Sequence, residues 1–207
     1  MDGGGYSADF LSRFSEAVEY VWRVSGGLGV RQVEREDGLV LASLSYYITL
    51  LGGRVFVDAG AVVGYSTAWI LYGISGANPR GRVSLYAVER NPQRFRYLRE
   101  CIERVRASLP VGGTEVEVSL VNGDAVDFLE EGVDQVDLVF VDIDKRHYVD
   151  VLKLLPRRLS PIGLAIFHNA LVPGLDEEAR EFLERQNQLT YYVIPTSLGL
   201  LVVKRVS

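Results

Sequence analysis

Between residues 54 and 167 short apolar runs alternate with longer stretches whose apolar residues recur at helical spacing. The runs RVFVDA, VSLYAVE, VDLVFVD and LAIF carry little internal polar alternation, as expected of strands covered on both faces. The pattern predicts strands at 54–59, 82–89, 115–121, 136–142 and 162–167, separated by helices at 65–74, 92–108, 125–130 and 147–158. A helix at 175–187 follows. Two β-rich segments, 190–194 and 198–204, read as a closing hairpin around Pro195-Thr196-Ser197. Ahead of the first strand lie an amphipathic helix over about 9–24, stopped by Ser25-Gly26-Gly27, and a second helical segment within 31–53, stopped by Gly52-Gly53. Strand–helix alternation with short connections defines a doubly wound α/β fold. The expected sheet has seven strands, mostly parallel, with the last strand antiparallel. One domain, 1–207, accounts for the chain, and residues 1–30 form a helical arm.

Composition narrows the setting. The net charge of -5 argues against a general nucleic-acid binder. The arginines at 90, 94, 96, 99, 104 and 106 read as a solvated helix face interleaved with Glu100 and Glu103. No apolar run is long enough to span a bilayer, and MDGGGYSADF is not a secretory leader, so a cytoplasmic location is expected. The single cysteine, Cys101, reads as inert packing.

Candidate chemistry collects where the predicted strands end, the rim on which such sheets bind ligands. Asp58-Ala59-Gly60-Ala61-Val62-Val63-Gly64-Tyr65-Ser66-Thr67 delivers a strand through a glycine turn to a helix N-terminus, where free N–H groups and the helix dipole receive a ligand. Gly60 and Gly64 are read as keeping side chains away from that ligand. The spacing matches neither GxGxxG nor a phosphate-binding Gly-Lys-Ser/Thr. Glu89, ending the second strand, suits ribose hydroxyls. A glycine loop and a ribose-binding acid without a phosphate grip point to S-adenosylmethionine. Asn122-Gly123-Asp124, Asp142, Asp144, Lys145, His168 and Asn169 follow later strands.

These residues resemble a family. REDGLVLASL, DAGAVVGYST, AVERNP, NGDAVDFL, VFVDIDKRHYVDVLKLLPRRLSPIG, HNAL and SLGLLVVKR are similar, in order, to segments of the cation-dependent O-methyltransferases related to catechol and caffeoyl-CoA O-methyltransferases, especially short prokaryotic members. The likeness covers about Arg31 to Lys204. It implies that Gly60, Gly64, Tyr65 and Ser66 serve the methionine part of S-adenosylmethionine, that Glu89 holds the ribose, and that Asp124 and Ala125 meet the adenine; Asp58, at the end of the first strand, is read as cofactor-binding too. Asp142, also near the cofactor, and Asn169 match metal-binding positions. Lys145 matches a lysine that helps deprotonate the acceptor hydroxyl. Tyr148 matches an aromatic read as packing, and Asp144 as a helix cap. A homodimer built on the N-terminal helices is also implied.

One departure bears on the metal. The family pattern has Asp-Asn after strand five, and this sequence has His168-Asn169. Three outcomes stay open: a cation softer than Mg²⁺ held by Asp142, His168 and Asn169, His168 as general base without metal, or a vacated site. The expected reaction is methyl transfer to a hydroxyl of a small, aromatic acceptor. Trp22, Tyr46, Tyr47 and Trp69 are candidates for its pocket, although helical spacing also fits core. A cofactor-binding protein without activity, and a transfer-RNA hydroxyuridine methyltransferase using the arginine-rich helix, are the alternatives. His147 is read as helix surface.

Overall fold

A computed structural model describes residues 8–30, 33–109 and 116–206. Residues 31 and 115, where the second helical segment and the third strand were expected to begin, lie outside the described residues, as does part of the N-terminal arm.

Two helices, α1 (Ala8–Gly27) and α2 (Arg35–Leu50), precede the alternating unit. That unit runs β1 (Val55–Ala59), α3 (Tyr65–Gly76), β2 (Val83–Val88), α4 (Pro92–Ser108), β3 (Val116–Val121), α5 (Ala125–Asp127), β4 (Val136–Val141), α6 (Tyr148–Arg158) and β5 (Leu159–Phe167). Then come α7 (Glu177–Arg185), β6 (Leu189–Ile194) and β7 (Leu200–Arg205). The strands form a seven-stranded sheet in the order β3-β2-β1-β4-β5-β7-β6. β1 pairs in parallel with both β2 and β4, so chain order reverses there and opens a crevice at the carboxyl ends. β7 is antiparallel to both neighbours, as the predicted hairpin requires.

The uninterrupted apolar runs are explained by burial on two faces. Phe56, Leu85, Leu138, Phe140 and Ile166 pack with α1, α2 and α3. Their strand neighbours Val57, Val139, Val141, Ala165 and Phe167 pack with α6 and α7 on the other side. Helix starts follow local chemistry. Asn91 caps α4 by accepting from the N–H groups of Gln93 (2.9 Å) and Arg94 (3.1 Å), with Pro92 in the first turn. Asp176 caps α7 through the Ala179 N–H at 2.8 Å. The expected strand 162–167 begins earlier, at Leu159, with an irregularity between Val136 and Leu138 where β4 meets it. The predicted helix at 125–130 is three α-helical residues continued by a π-helical turn, Phe128–Gly132.

Candidate active site

The loop after β1 sits at the reversal point. Asp58, fully buried, accepts from Ser66 Oγ at 2.7 Å and from Thr67 Oγ1, tying the end of β1 to the first turn of α3. Burial pushes its carboxyl up to about 6, against the pull of those two hydroxyls. Asp58 therefore braces the loop from behind, a correction to its expected place on the cofactor surface. The glycines also have reasons other than ligand clearance. Gly60 (φ +96°) lies against the Asp142 carbonyl, which a Cβ would strike, and Gly64 (φ +95°) lies against Leu98 and Ile102 of α4. Between them Val62 takes φ +53°, a strained state for a β-branched residue, and its N–H donates to Glu89 Oε2 at 3.0 Å.

Glu89 is the hub of the adjoining cleft. Its other oxygen accepts from the Asn91 N–H at 2.7 Å, and Asn122 donates to its backbone carbonyl at 2.8 Å. Carboxylate oxygens carry two lone pairs each, so a sugar hydroxyl can still donate to it. Gly60, Glu89, Asp124, Ala125 and Asp142 line one cleft of about 400 Å³. Val30, Val62, Arg90, Arg94, Ile143 and His147 line it too and were not anticipated. His147, expected on the helix surface, stands in a 3₁₀ turn (Lys145–His147) at the cleft edge, with Nδ1 at 3.1 Å from Asp150. The cleft has the size of a cofactor site, with a carboxylate where ribose hydroxyls need an acceptor. S-adenosylmethionine fits these residues. A small cavity of about 20 Å³, lined by Ser25 of α1 and by Val63, Tyr65 and Ser66, adjoins it across Gly60 and Asp142.

The β4 rim carries the polar cluster. Asp144 caps the 3₁₀ turn through the Arg146 N–H (3.2 Å) and pairs with the Arg146 guanidinium (2.6 Å), which holds its carboxyl down at about 2. Lys145 pairs with neither Asp142 nor Asp144 by hydrogen bond. Its Nζ donates to the Asn169 carbonyl at 3.2 Å, and burial pulls its ammonium below the usual lysine range, against Asp142 and Asp176. Tyr148 is packing: almost wholly buried, its hydroxyl lies 3.2 Å from the Val141 carbonyl and 3.1 Å from that of His168, clasping the ends of β4 and β5.

His168 is not open to the cleft. Its side chain is 3% exposed and lies between two carboxylates, with Nε2 at 3.1 Å from Asp37 Oδ2 and Nδ1 at 3.3 Å from Asp142 Oδ1. The first contact is a hydrogen bond; the second is an ion-pair approach whose angle falls short of one. Burial opposes charge on the ring, but Asp142 and Asp37 outweigh it and push His168 up to about 9. Asp37, wholly buried, is held below the usual carboxylate range: burial raises it, and hydrogen bonds from His168 and Thr196 more than compensate.

The candidate metal residues are only partly brought together: His168 Nδ1, with no hydrogen-bond partner, lies 3.3 Å from Asp142 Oδ1, while its Nε2 is bonded to Asp37. Asn169, at φ +58°, donates its side-chain amide to the Val172 carbonyl at 3.1 Å. Among the described residues no group of three or more His, Cys, Asp or Glu side chains is arranged to hold a metal. His168 is also set back from the cleft, with its side chain 3% exposed and Nε2 bonded to Asp37. Asp37 was missed by sequence reasoning. An acid in a helix's first turn reads as a dipole complement, and its partner is 131 residues away.

An apolar groove of about 700 Å³ lies alongside, lined by Phe14, Trp22, Leu39, Tyr65, Trp69 and Tyr72. Tyr65 lines both this groove and the small cavity beside the cleft, and its ring meets Trp22 edge-on at 5.2 Å. Trp22 and Trp69, candidates for an acceptor pocket, line this groove. Tyr46 and Tyr47 are exposed on α2 outside it.

A glycine-turned loop at the switch point, an acid after the second strand and an Asp after the fourth define a nucleoside-binding α/β protein. Residues 57–170 match the family described as "Methyltransferase domain", and the chain belongs to it. It is 28% identical over 184 residues to a "Catechol O-methyltransferase" of Niastella koreensis, covering 86% of this chain and 74% of that protein. A methyltransferase from Geobacter sulfurreducens shares the fold at TM-score 0.75 and 21% identity, over 93% of this chain and 89% of that one. An O-methyltransferase from Bacillus cereus solved with SAH does so at TM-score 0.69 and 19% identity, over 92% and 91%.

Proposed function

We propose that this protein transfers the methyl group of S-adenosylmethionine to a hydroxyl of a small, aromatic acceptor. The observation that carries the reading is the approach, across Tyr65 and the small cavity beside it, of a cleft with cofactor-binding chemistry to an apolar aromatic groove. The similarity to a catechol O-methyltransferase, and the fold shared with an O-methyltransferase holding SAH, support hydroxyl oxygen as the acceptor. The bound cofactor supplies a sulfonium methyl open to attack by an oxygen lined up behind it.

The chain's residues do the rest. Gly60, Tyr65 and Ser66 shape the methionine end, Glu89 takes the ribose hydroxyls, and Asp124 and Ala125 border the base. Trp22, Tyr65 and Trp69 hold the acceptor's aromatic face and keep water out, so positioning supplies much of the rate. Lys145, whose ammonium burial pulls below the usual lysine range, would take the proton of the acceptor hydroxyl during methyl transfer. Leu39, Tyr46, Tyr47 and Leu50 are all exposed on α2, which supports a homodimer formed through the N-terminal helices. A cytoplasmic setting suits a chain whose single cysteine is buried and free.

The test pairs calorimetry with turnover. SAH should bind the full chain at micromolar Kd. Lys145→Met should keep that affinity while kcat falls about 100-fold on a responsive phenolic acceptor. Absence of SAH binding by the folded protein overturns the reading.

A further inference from the structure

We propose that a second copy of this chain packs antiparallel along α2 and closes the mouth of the aromatic groove, so that the acceptor pocket is complete only in the dimer. This rests on the O-methyltransferase reading of that groove, and goes beyond a homodimer of N-terminal helices by fixing which residues meet and what their meeting does.

The outer face of α2 differs from the rest of the surface. From Gly38 to Gly53 no charged residue occurs, in a chain that is 24% charged. Other helices show charged outer faces: Arg96, Arg99, Glu100, Glu103 and Arg104 are exposed on α4, and Glu177, Glu178 and Arg180 on α7. On α2 the exposed positions of this stretch are Leu39, Ser43, Tyr46, Tyr47 and Leu50, followed by Leu51 at the C-cap. The opposite side, with Leu41, Ser45 and Ile48, is already buried, so the helix cannot roll to hide the stripe. Ser43 can be covered at little cost, because its hydroxyl already donates to the Leu39 carbonyl at 2.8 Å.

The spacing of the stripe selects the partner. Leu39, Ser43, Tyr46 and Leu50 follow steps of four, three and four residues, the seam of paired helices, and the steps read the same from either end. An antiparallel copy therefore sets Leu39 against Leu50 of the partner subunit and Ser43 against Tyr46 of the partner subunit, small against large. A two-fold axis repeats both contacts. A parallel copy would put tyrosine on tyrosine at one level and serine on serine at another, a clash and a void. The area is also sufficient. Leu39, Tyr46, Tyr47, Leu50 and Leu51, with Leu11 and Trp22 at the groove, expose about 800 Å² per copy, which is what each partner of a standard interface buries.

Leu39 belongs to the groove as well as to the stripe, and with Leu11 and Trp22 it stands exposed around the mouth. Leu50 of the partner subunit, seated on Leu39, lies across that mouth. It excludes water from the acceptor's ring and narrows the entry to a flat aromatic. Cofactor binding is set apart, because none of the stripe residues lines the cleft that holds Glu89 and Asp124.

The test uses the full chain carrying single introduced cysteines under mild oxidation, since the native Cys101 is buried. Leu39→Cys and Leu50→Cys should each fail to cross-link alone. The antiparallel register sets identical copies of either position about 16 Å apart along the helix, beyond the roughly 7 Å that a disulfide spans. The two variants, mixed and allowed to exchange subunits, should give a disulfide-linked dimer. Wild type should sediment as a dimer at micromolar concentration and Leu50→Glu as a monomer. L50E should also raise the KM of a phenolic acceptor at least about fivefold, with its SAH Kd within about twofold of wild type. A monomeric wild type, a mixture that does not cross-link, L39C that cross-links to itself, or L50E that remains dimeric overturns the contact. A monomeric L50E with unchanged acceptor KM overturns the closing of the groove. SAH failing to bind folded wild type overturns the transferase reading, and the cross-links still decide the interface.

Discussion

The two ends of the site are built on opposite plans. At the cofactor end, the groups that matter are neighbours in sequence: Asp58 braces Ser66 and Thr67, and Gly60 and Gly64 set the turn between them. At the β4–β5 end, Asp37 and His168 meet across 131 residues, joining α2 to a strand terminus. A local motif tolerates little change because its backbone path has few solutions. The bridge between Asp37 and His168 depends instead on how α2 packs against the sheet.

Breaking the local half should have the largest effect. Gly60→Ala puts a methyl into the Asp142 carbonyl at φ +96°, so the loop must move. SAH binding should fall at least about 100-fold, read by calorimetry, and near-normal affinity would show that the loop is softer than its geometry implies. Asp37→Ala tests the long-range half. It strips one partner from a buried ion pair and should cost about 3–5 kcal/mol in urea unfolding. A loss under about 1 kcal/mol would mean that water or Asp142 already satisfies His168.

Asp58→Asn sharpens the contrast through pH. Asp58 titrates at about 6 when folded, raised by burial from an ordinary 3.8. An acid raised in this way favours folding fully below about pH 4, and its contribution is lost as pH rises through about 6. Wild type should therefore lose up to about 3 kcal/mol more than the Asn variant between pH 4 and pH 7. Parallel stability profiles would remove the case for a buried, reluctant carboxylate. Tyr47→Ser, on the exposed face of α2, should alter monomer stability by no more than about 0.5 kcal/mol. In sedimentation it should weaken self-association if that face is the dimer contact, and an unchanged sedimentation profile counts against the dimer.

Sequence alone determined the fold class, the closing hairpin and the glycine turn after the first strand. Strand runs and caps such as Pro92 after Asn91 are local signals, and local signals survive in one dimension. It also located the residue types on the rim, because each lies at the end of an apolar run. Only the tertiary structure decided what those residues touch. It put Asp58 behind the loop, set Gly64 against Leu98 and Ile102, turned the Asn169 amide to Val172, and brought His147 to the cleft. Above all it supplied Asp37 as the second partner of His168. Whether a histidine ligates, titrates or fills a charge depends on what faces each nitrogen, and that is set by the packing of α2 on the sheet rather than by neighbours along the chain.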